Sequence, residues 1–339
     1  MTIRRSALTR CAILILAVVA LSANVTARKT NSSGQQADTA TLPERIWRDS
    51  GDVSTLDLRY GAGGKAHAPD AAGPFTFVKE DLLQTSPKFE VVDAQGVQWK
   101  VKLGEESQSE TAATRFLWAA GYFTDEDYYM ADLTVNELPA LRRGQQFLSS
   151  GGVVHGARLE RKVTGTTKLE TWDWFANPFV GQRELNGLRV MMSLLNNWDL
   201  KDINNSVYVV DGERHYLVSD VGATFGNTGN AMTRSKGMPK EYEATAFIGK
   251  VTPGFIDFVL HSRPFFLSAV QPGNYRDRTR MEDVTRHIPR ADAKWLGERL
   301  SVLTDDQIRD GFRAGGYGAS DVEILTRTIR TRITALGAL

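Results

Sequence analysis

Residues 188–222 constrain this chain more than any other stretch. A largely apolar run, LRVMMSLL, ends abruptly in NNWDLKDINN over residues 196–205. Two β-rich tetrads, VYVV and HYLV, then flank Asp211-Gly212-Glu213-Arg214, and Asp220 closes the segment. A helix that merely stopped here would favour Lys or Gly at its end, because a carboxylate such as Asp199 meets the negative end of the helix dipole. The hairpin matters as much as the loop. With Val210 opposite His215, Asn205 lies opposite Asp220 and Asn204 one residue further out, at cross-strand distances of about 5 Å. An amide oxygen and a carboxylate are hard ligands of the kind Mg²⁺ accepts. Asp199, on the same loop, is placed to orient or deprotonate a hydroxyl beside that site. Taken together these residues suit phosphoryl transfer. Asp202 is an alternative base but reads rather as a surface charge in the loop. The plainer alternatives are turn residues entering a strand for Asn204 and Asn205, and a strand-ending turn for Asp220 with Gly222.

A second hairpin lies upstream in KFEVVDAQGVQWKVKL, turning at Asp93-Ala-Gln-Gly96. With Val92 opposite Val97, Lys102 falls beside Pro87 and Lys100 beside Phe89. Alternation then places Gln98, Lys100 and Lys102 on one face with Phe89 and Val91. Such a face suits a nucleotide, with apolar groups over the base and Lys102 at the phosphates. The turn before it, Gln84 to Lys88, offers Thr85, Ser86 and Lys88 as a phosphate cradle. A one-residue slip would move both strand lysines to the other face. The helical pattern SETAATRFLWAAGY follows, with apolar positions 112, 113, 116, 117 and 120. Glu110 in its first turn is the candidate partner for Lys102, in competition with Glu105 and Glu106.

These pieces resemble the protein-kinase fold. DLKDIN, residues 199–204, fits D-L-K-x-x-N, and Asp220-Val-Gly222 stands where those enzymes have D-F-G. The set is most similar to the atypical HipA-like branch. There a turn like Thr85-Ser-Pro-Lys88 precedes the strand lysine, and a Glu-bearing helix ending in a glycine turn follows. The N-x-D-x-x-x-x-N loop of that branch is matched by Asn197-Trp-Asp199 and Asn204, and DVGATFG, residues 220–226, resembles its metal-binding segment. The resemblance implies ATP and Mg²⁺ as cofactors and a hydroxyl acceptor, on a protein or a small molecule. It casts Lys102 as the nucleotide lysine and Glu110 as its partner. Asp199 becomes the residue that orients the acceptor, and Asn204 and Asp220 the metal ligands. The chain departs from ordinary protein kinases in lacking a G-x-G-x-x-G loop, a His-Arg before Asp199 and an A-P-E motif. MTRSKGMPKEYE, residues 232–243, is a polar segment instead. A pseudokinase-type envelope module that binds through the same cleft without turnover is the other reading, and adenylyl transfer is a variant of the first.

Arg4, Arg5 and Arg10 precede the short apolar run CAILILAVVALSA, which has the form of a secretory leader ending near Ala27. Removing it takes away the sole cysteine, Cys11, together with three arginines and no acids. The remaining chain is near neutral and is expected to be exported, to a periplasm or the medium, with no membrane span. A net charge of +1 before cleavage argues against a nucleic-acid partner. The five histidines show no zinc-like spacing, and no G-x-S-x-G elbow is present. YGAGGKAHAP lacks the spacing of a phosphate loop and reads as linker. The expected organisation is a leader over 1–27, a tether with a docked segment over 28–72, a nucleotide-binding lobe over 73–165 and a catalytic lobe over 166–339. The expected fold class is α+β and bilobal, with a small β-rich amino-terminal lobe and a larger, mainly helical carboxy-terminal lobe. Its last helix is expected to open at Ser320 with a capping box to Glu323.

Overall fold

The computed structural model describes residues 39–83, 85–229, 234–260 and 272–339. The leader expected over 1–27 lies outside them, as do Gln84 and residues 232–233 of the polar segment.

After a short strand β1 (Glu44–Arg45), the amino-terminal part is built from β2 (Phe75–Asp81), β3 (Lys88–Asp93), β4 (Gln98–Leu103), β5 (Asp127–Asn136), β6 (Leu148–Ser149) and β7 (Val153–Arg161). Their order is β4-β3-β2-β5-β7-β6, and β4 also pairs with β7, so five of them close on themselves. Closure gives these strands an inside and an outside. Phe89, Val91, Trp99, Val101 and Leu103 point inward with Leu133 and Leu159, all nearly inaccessible.

This closure corrects the expected register. Lys102 pairs with Lys88, not Pro87, and Lys100 with Glu90, not Phe89. The turn carries one more residue than a plain hairpin would. Gly96 adopts φ +80°, its N–H bonds to Asp93 O at 3.0 Å, and Asp93 N–H bonds to Val97 O at 3.0 Å. A type I turn followed by a glycine bulge of this kind shifts pairing by one residue. Asp93 Oδ2 also accepts from the Trp99 indole at 2.8 Å, fixing that ring. Phe89 and Val91 therefore fill the barrel, and Lys88, Lys100 and Lys102 share its outer face.

Helix α1 (Glu106–Ala119) leaves β4 directly and lies between the barrel and the rest of the molecule. Its buried residues Ala112, Ala113, Phe116 and Leu117 join a second and larger core. That core is organised by α2 (Arg183–Leu194), α3 (Pro239–Ala244), α4 (Pro272–Asp283), α5 (Arg290–Ser301), α6 (Asp305–Ala314) and α7 (Ala319–Gly337). The α+β character and the division into a β-rich and a larger helical part match the sequence expectation. Ile46, Val53 and Leu58 are also buried in the larger core, and Gln307 Nε2 donates to the carbonyls of Val53, Ser54 and Leu56. The capping box is found one helix earlier than expected. Thr304 and Gln307 cap α6 reciprocally, whereas α7 begins after Gly318 with no side-chain cap.

Strands β8 (Thr167–Lys168), β9 (Asn205–Val210) and β10 (Glu213–Val218) form a sheet with β1. Asp211 and Gly212 alone make the β9–β10 turn, with φ +50° and +78°. This is the two-residue type I′ geometry that Asp-Gly favours. Val210 therefore pairs with Glu213 rather than His215, and Asn205 with Val218 rather than Asp220. The slip is of two residues, so each side chain keeps its face.

Candidate active site

The polar loop begins as a helix end after all, and a structured one. Asn196 takes φ +54°, Asn197 N–H reaches back to Met192 O at 2.8 Å, and Asn196 N–H to Ser193 O at 3.1 Å. This Schellman pair, with an asparagine in the left-handed position, ends α2 and turns the chain sharply. Asn196 is fully buried and receives Arg332 Nη1 on its Oδ1 at 2.7 Å. Asn197, also buried, accepts from Asp199 N–H at 3.1 Å, so the two asparagines hold the backbone that presents Asp199.

From there the loop is laced to Asn204. Its Nδ2 donates to Asp199 O at 2.7 Å, which leaves its amide oxygen as the end suited to a cation. Its backbone carbonyl receives the N–H groups of Ser219 at 2.9 Å and Asp220 at 3.2 Å. Asn204 and Asp220 are thus joined through backbone at the open end of the hairpin, although the cross-strand partner of Asn205 differs from expectation. Asp202 is a structural residue. Its carboxylate accepts from Trp174 N–H and pairs with Arg280 at 2.8 Å.

Lys102 meets this end of the molecule. Its Nζ lies 2.6 Å from Glu106, 2.9 Å from Glu110 and 3.2 Å from Asp220, and the residue is only 5% exposed. Burial opposes the ammonium charge, but Glu110, Asp220 and Glu106 outweigh it and raise its pKa above the ordinary lysine range. Burial pushes the Glu110 carboxyl up to about 7 against the pull of Arg158 and Lys102. Glu106 goes the other way. Burial opposes its ionisation too, but Lys102 and Lys236 bring it down to about 2.

A narrow cavity of about 70 Å³ opens here, lined by Ser86, Lys88, Lys102, Glu110, Asn204 and Asp220 among others. Lys88 has its pKa lowered by burial and by the nearby Lys100. Ser86 Oγ donates to Glu106 Oε2 at 3.2 Å. Thr85 is exposed and is not among the residues lining the cavity. Asp199 does not line it either; its side chain is about a quarter exposed and pairs with Lys201 at 2.5 Å. A larger cavity of about 880 Å³ adjoins it, sharing Asp125, Glu160, Lys168 and Tyr208. Val97, Phe123, Val163, His215 and Leu217 give the larger cavity apolar and aromatic walls.

Sequence reasoning misses Arg158. It is 2% exposed and bonds Asp127 and Glu160 at 2.8 Å each, with its Nε 3.4 Å from Glu110. It sits mid-strand on β7, where a single arginine carries no distinguishing pattern. Glu106 reads in the sequence only as a rival to Glu110, yet both touch Lys102. The i,i+4 spacing of Lys102 and Glu106 across the strand–helix junction is the signal that points to it.

No family model and no curated protein matches the chain. Among solved structures it is similar to the Helicobacter pylori proinflammatory kinase CtkA, at 11% identity and TM-score 0.42, covering 78% of this chain and 93% of that one. It is also similar to the Golgi casein kinase, at 10% identity and TM-score 0.33, covering 84% and 77%. A Golgi casein kinase structure with Mn/ADP bound gives 10% identity and TM-score 0.30, covering 78% and 73%. These likenesses are distant, and the chemistry of the site rests on its own residues.

Proposed function

We propose that this chain is an exported ATP- and Mg²⁺-dependent phosphotransferase of kinase-like fold, of the HipA-like branch, acting on a hydroxyl acceptor such as Ser or Thr of a protein. One observation carries the reading: Lys102, Glu110, Asn204 and Asp220, drawn from a strand, a helix, a loop and a hairpin end, line one cavity. The leader-like residues 4–27 support export.

In this reading Lys102 donates to the nucleotide phosphates, with Glu110, itself 3.4 Å from Arg158, holding it at the cavity wall. Ser86 and Lys88 add donors from the preceding turn and strand. Phe89 and Val91, inside the barrel, cannot cover the base. The aromatic walls of the adjoining cavity take that part, with Tyr208 common to both spaces. The amide oxygen of Asn204 and the carboxylate of Asp220 are hard ligands suited to Mg²⁺, which would neutralise charge on the transferring phosphoryl group. Asp199 accepts the proton of the acceptor hydroxyl as its oxygen bonds to phosphorus and the bond to the leaving diphosphate breaks. Lys201, 2.5 Å away, orients the Asp199 carboxylate.

The test is incubation of the mature protein with γ-labelled ATP, Mg²⁺ and mixed protein acceptors. Label should enter protein and should be lost in Asp199→Ala and Asp220→Ala. Incorporation unaffected by either substitution would defeat the catalytic assignment.

A further inference from the structure

Glu106 holds more of this site together than the resemblance assigns to it. One carboxylate oxygen takes Lys102 Nζ at 2.6 Å and Ser86 Oγ at 3.2 Å, and the other takes Lys236 Nζ at 2.5 Å. Its stem packs on Gly222, two residues after Asp220. A Cβ added at Gly222 would fall 2.8 Å from Glu106 Cβ and 2.9 Å from its Cγ, closer than real contacts come. Ser109, on the same helix, donates to Gly222 O at 2.7 Å and fixes that approach.

Lys236 is part of a segment bound to the other side of the site. Gly237 N–H bonds to Thr224 O at 2.8 Å and Met238 N–H to Phe225 O at 2.8 Å, so the segment is fastened to the DVGATFG stretch. Ser235 O receives the Trp198 indole N–H at 2.9 Å, and Arg234 lies 4.2 Å over that ring. Trp198 immediately precedes Asp199. A chain of direct contacts therefore runs from Lys102 through Glu106, Lys236 and Ser235 to the residue beside Asp199.

An ammonium has three N–H donors, and Lys102 faces three carboxylates. Glu106 fixes the direction in which Lys102 presents its N–H groups, and it is the one of the three that is also tied to a second lysine. Any shift of Glu106 away from Lys102 changes its hold on Lys236.

We propose that Glu106 is a positioning residue that couples nucleotide binding at Lys102 to the placement of residues 234–238 beside Asp199. This rests on the phosphotransferase reading above. Ionic contacts of this kind, once removed, weaken binding by about tenfold or more, and residues acting through one another fail to add.

The experiment is a double-mutant cycle on Glu106→Gln and Lys236→Met, read as the Kd for ATP with Mg²⁺ and as hydrogen exchange over residues 234–238. Thermal melting is followed in parallel, and Glu106→Asp serves as a conservative rescue. Each single variant should raise Kd, Glu106→Gln by about tenfold, and the double variant should be no weaker than Glu106→Gln alone. ATP with Mg²⁺ should alter exchange over 234–238 in the wild type but not in Glu106→Gln, and Glu106→Asp should recover part of both effects. Full additivity, or variants that change melting but neither Kd nor exchange, would overturn the coupling while leaving the phosphotransferase reading intact. A wild-type protein that binds no ATP would instead overturn that reading, and the coupling with it.

Discussion

Lys102 Nζ stands 3.2 Å from Asp220 Oδ1, across 118 residues of chain. The contact joins the barrel to the hairpin end, and it sets a lysine suited to phosphate against a carboxylate suited to metal. Most of what the site should do follows from how this pair is held.

Replacing Lys102 by Met should cost stability as well as function. Glu106, Glu110 and Asp220 would be left facing one another with the ammonium gone, and removing one partner of a buried ion pair costs about 3–5 kcal/mol. Urea unfolding of Lys102→Met against wild type measures it, and the deficit should shrink in Lys102→Met combined with Glu110→Gln.

Asp199 should matter to turnover far more than to binding. Loss of a positioned base lowers kcat by about 10²–10⁴-fold, while the nucleotide contacts lie in the cavity that Asp199 does not line. Asp199→Asn is expected to keep the wild-type Kd for ATP with Mg²⁺ and to lose turnover, as equilibrium binding and steady-state rates on one preparation would show.

Acid should weaken the fold through Glu106. Its folded pKa of about 2 lies below the ordinary value of 4.5. The unfolded chain therefore binds the proton more readily, and the contribution of Glu106 is fully present above pH 4.5. It is lost as pH falls from there toward 2. The slope of unfolding free energy against pH across that window should be shallower in Glu106→Gln than in wild type.

Gly222 should tolerate no side chain. A methyl group there meets Glu106 at 2.8 Å, while Ser109, on the same helix, holds the Gly222 carbonyl in place. Overpacking of this kind costs about 1–3 kcal/mol. Gly222→Ala should lower the melting temperature and weaken ATP binding together, because the displaced side chain is a partner of Lys102.

Much of this site is legible in the order of its residues, and the misreadings have specific physical causes. Helical spacing identifies the buried face of α1, and the apolar run ending at Asn196 marks the end of α2. The hairpins are legible as elements but not in register. Gly96 at φ +80° inserts a bulge that moves Lys102 from Pro87 to Lys88, and the Asp211-Gly212 turn is tighter by two residues than expected. Lys102 still reaches the cavity, since strand closure decides which face is interior and sends Phe89 and Val91 there instead. Thr85, expected in the cradle, stays on the exposed turn, because only Ser86 and Lys88 follow the chain into the cavity. Arg158 is invisible in the sequence because its meaning lies in Asp127, Glu160 and Glu110, which only folding brings to it.

The most direct measurement of the central claim is calorimetric titration of the protein with ATP, in the presence and absence of Mg²⁺, for wild type and Asp220→Ala. The account predicts saturable binding by wild type that tightens with Mg²⁺, and in Asp220→Ala the loss of that Mg²⁺ dependence. Binding that is absent in wild type, or equally Mg²⁺-dependent in the two proteins, would contradict it.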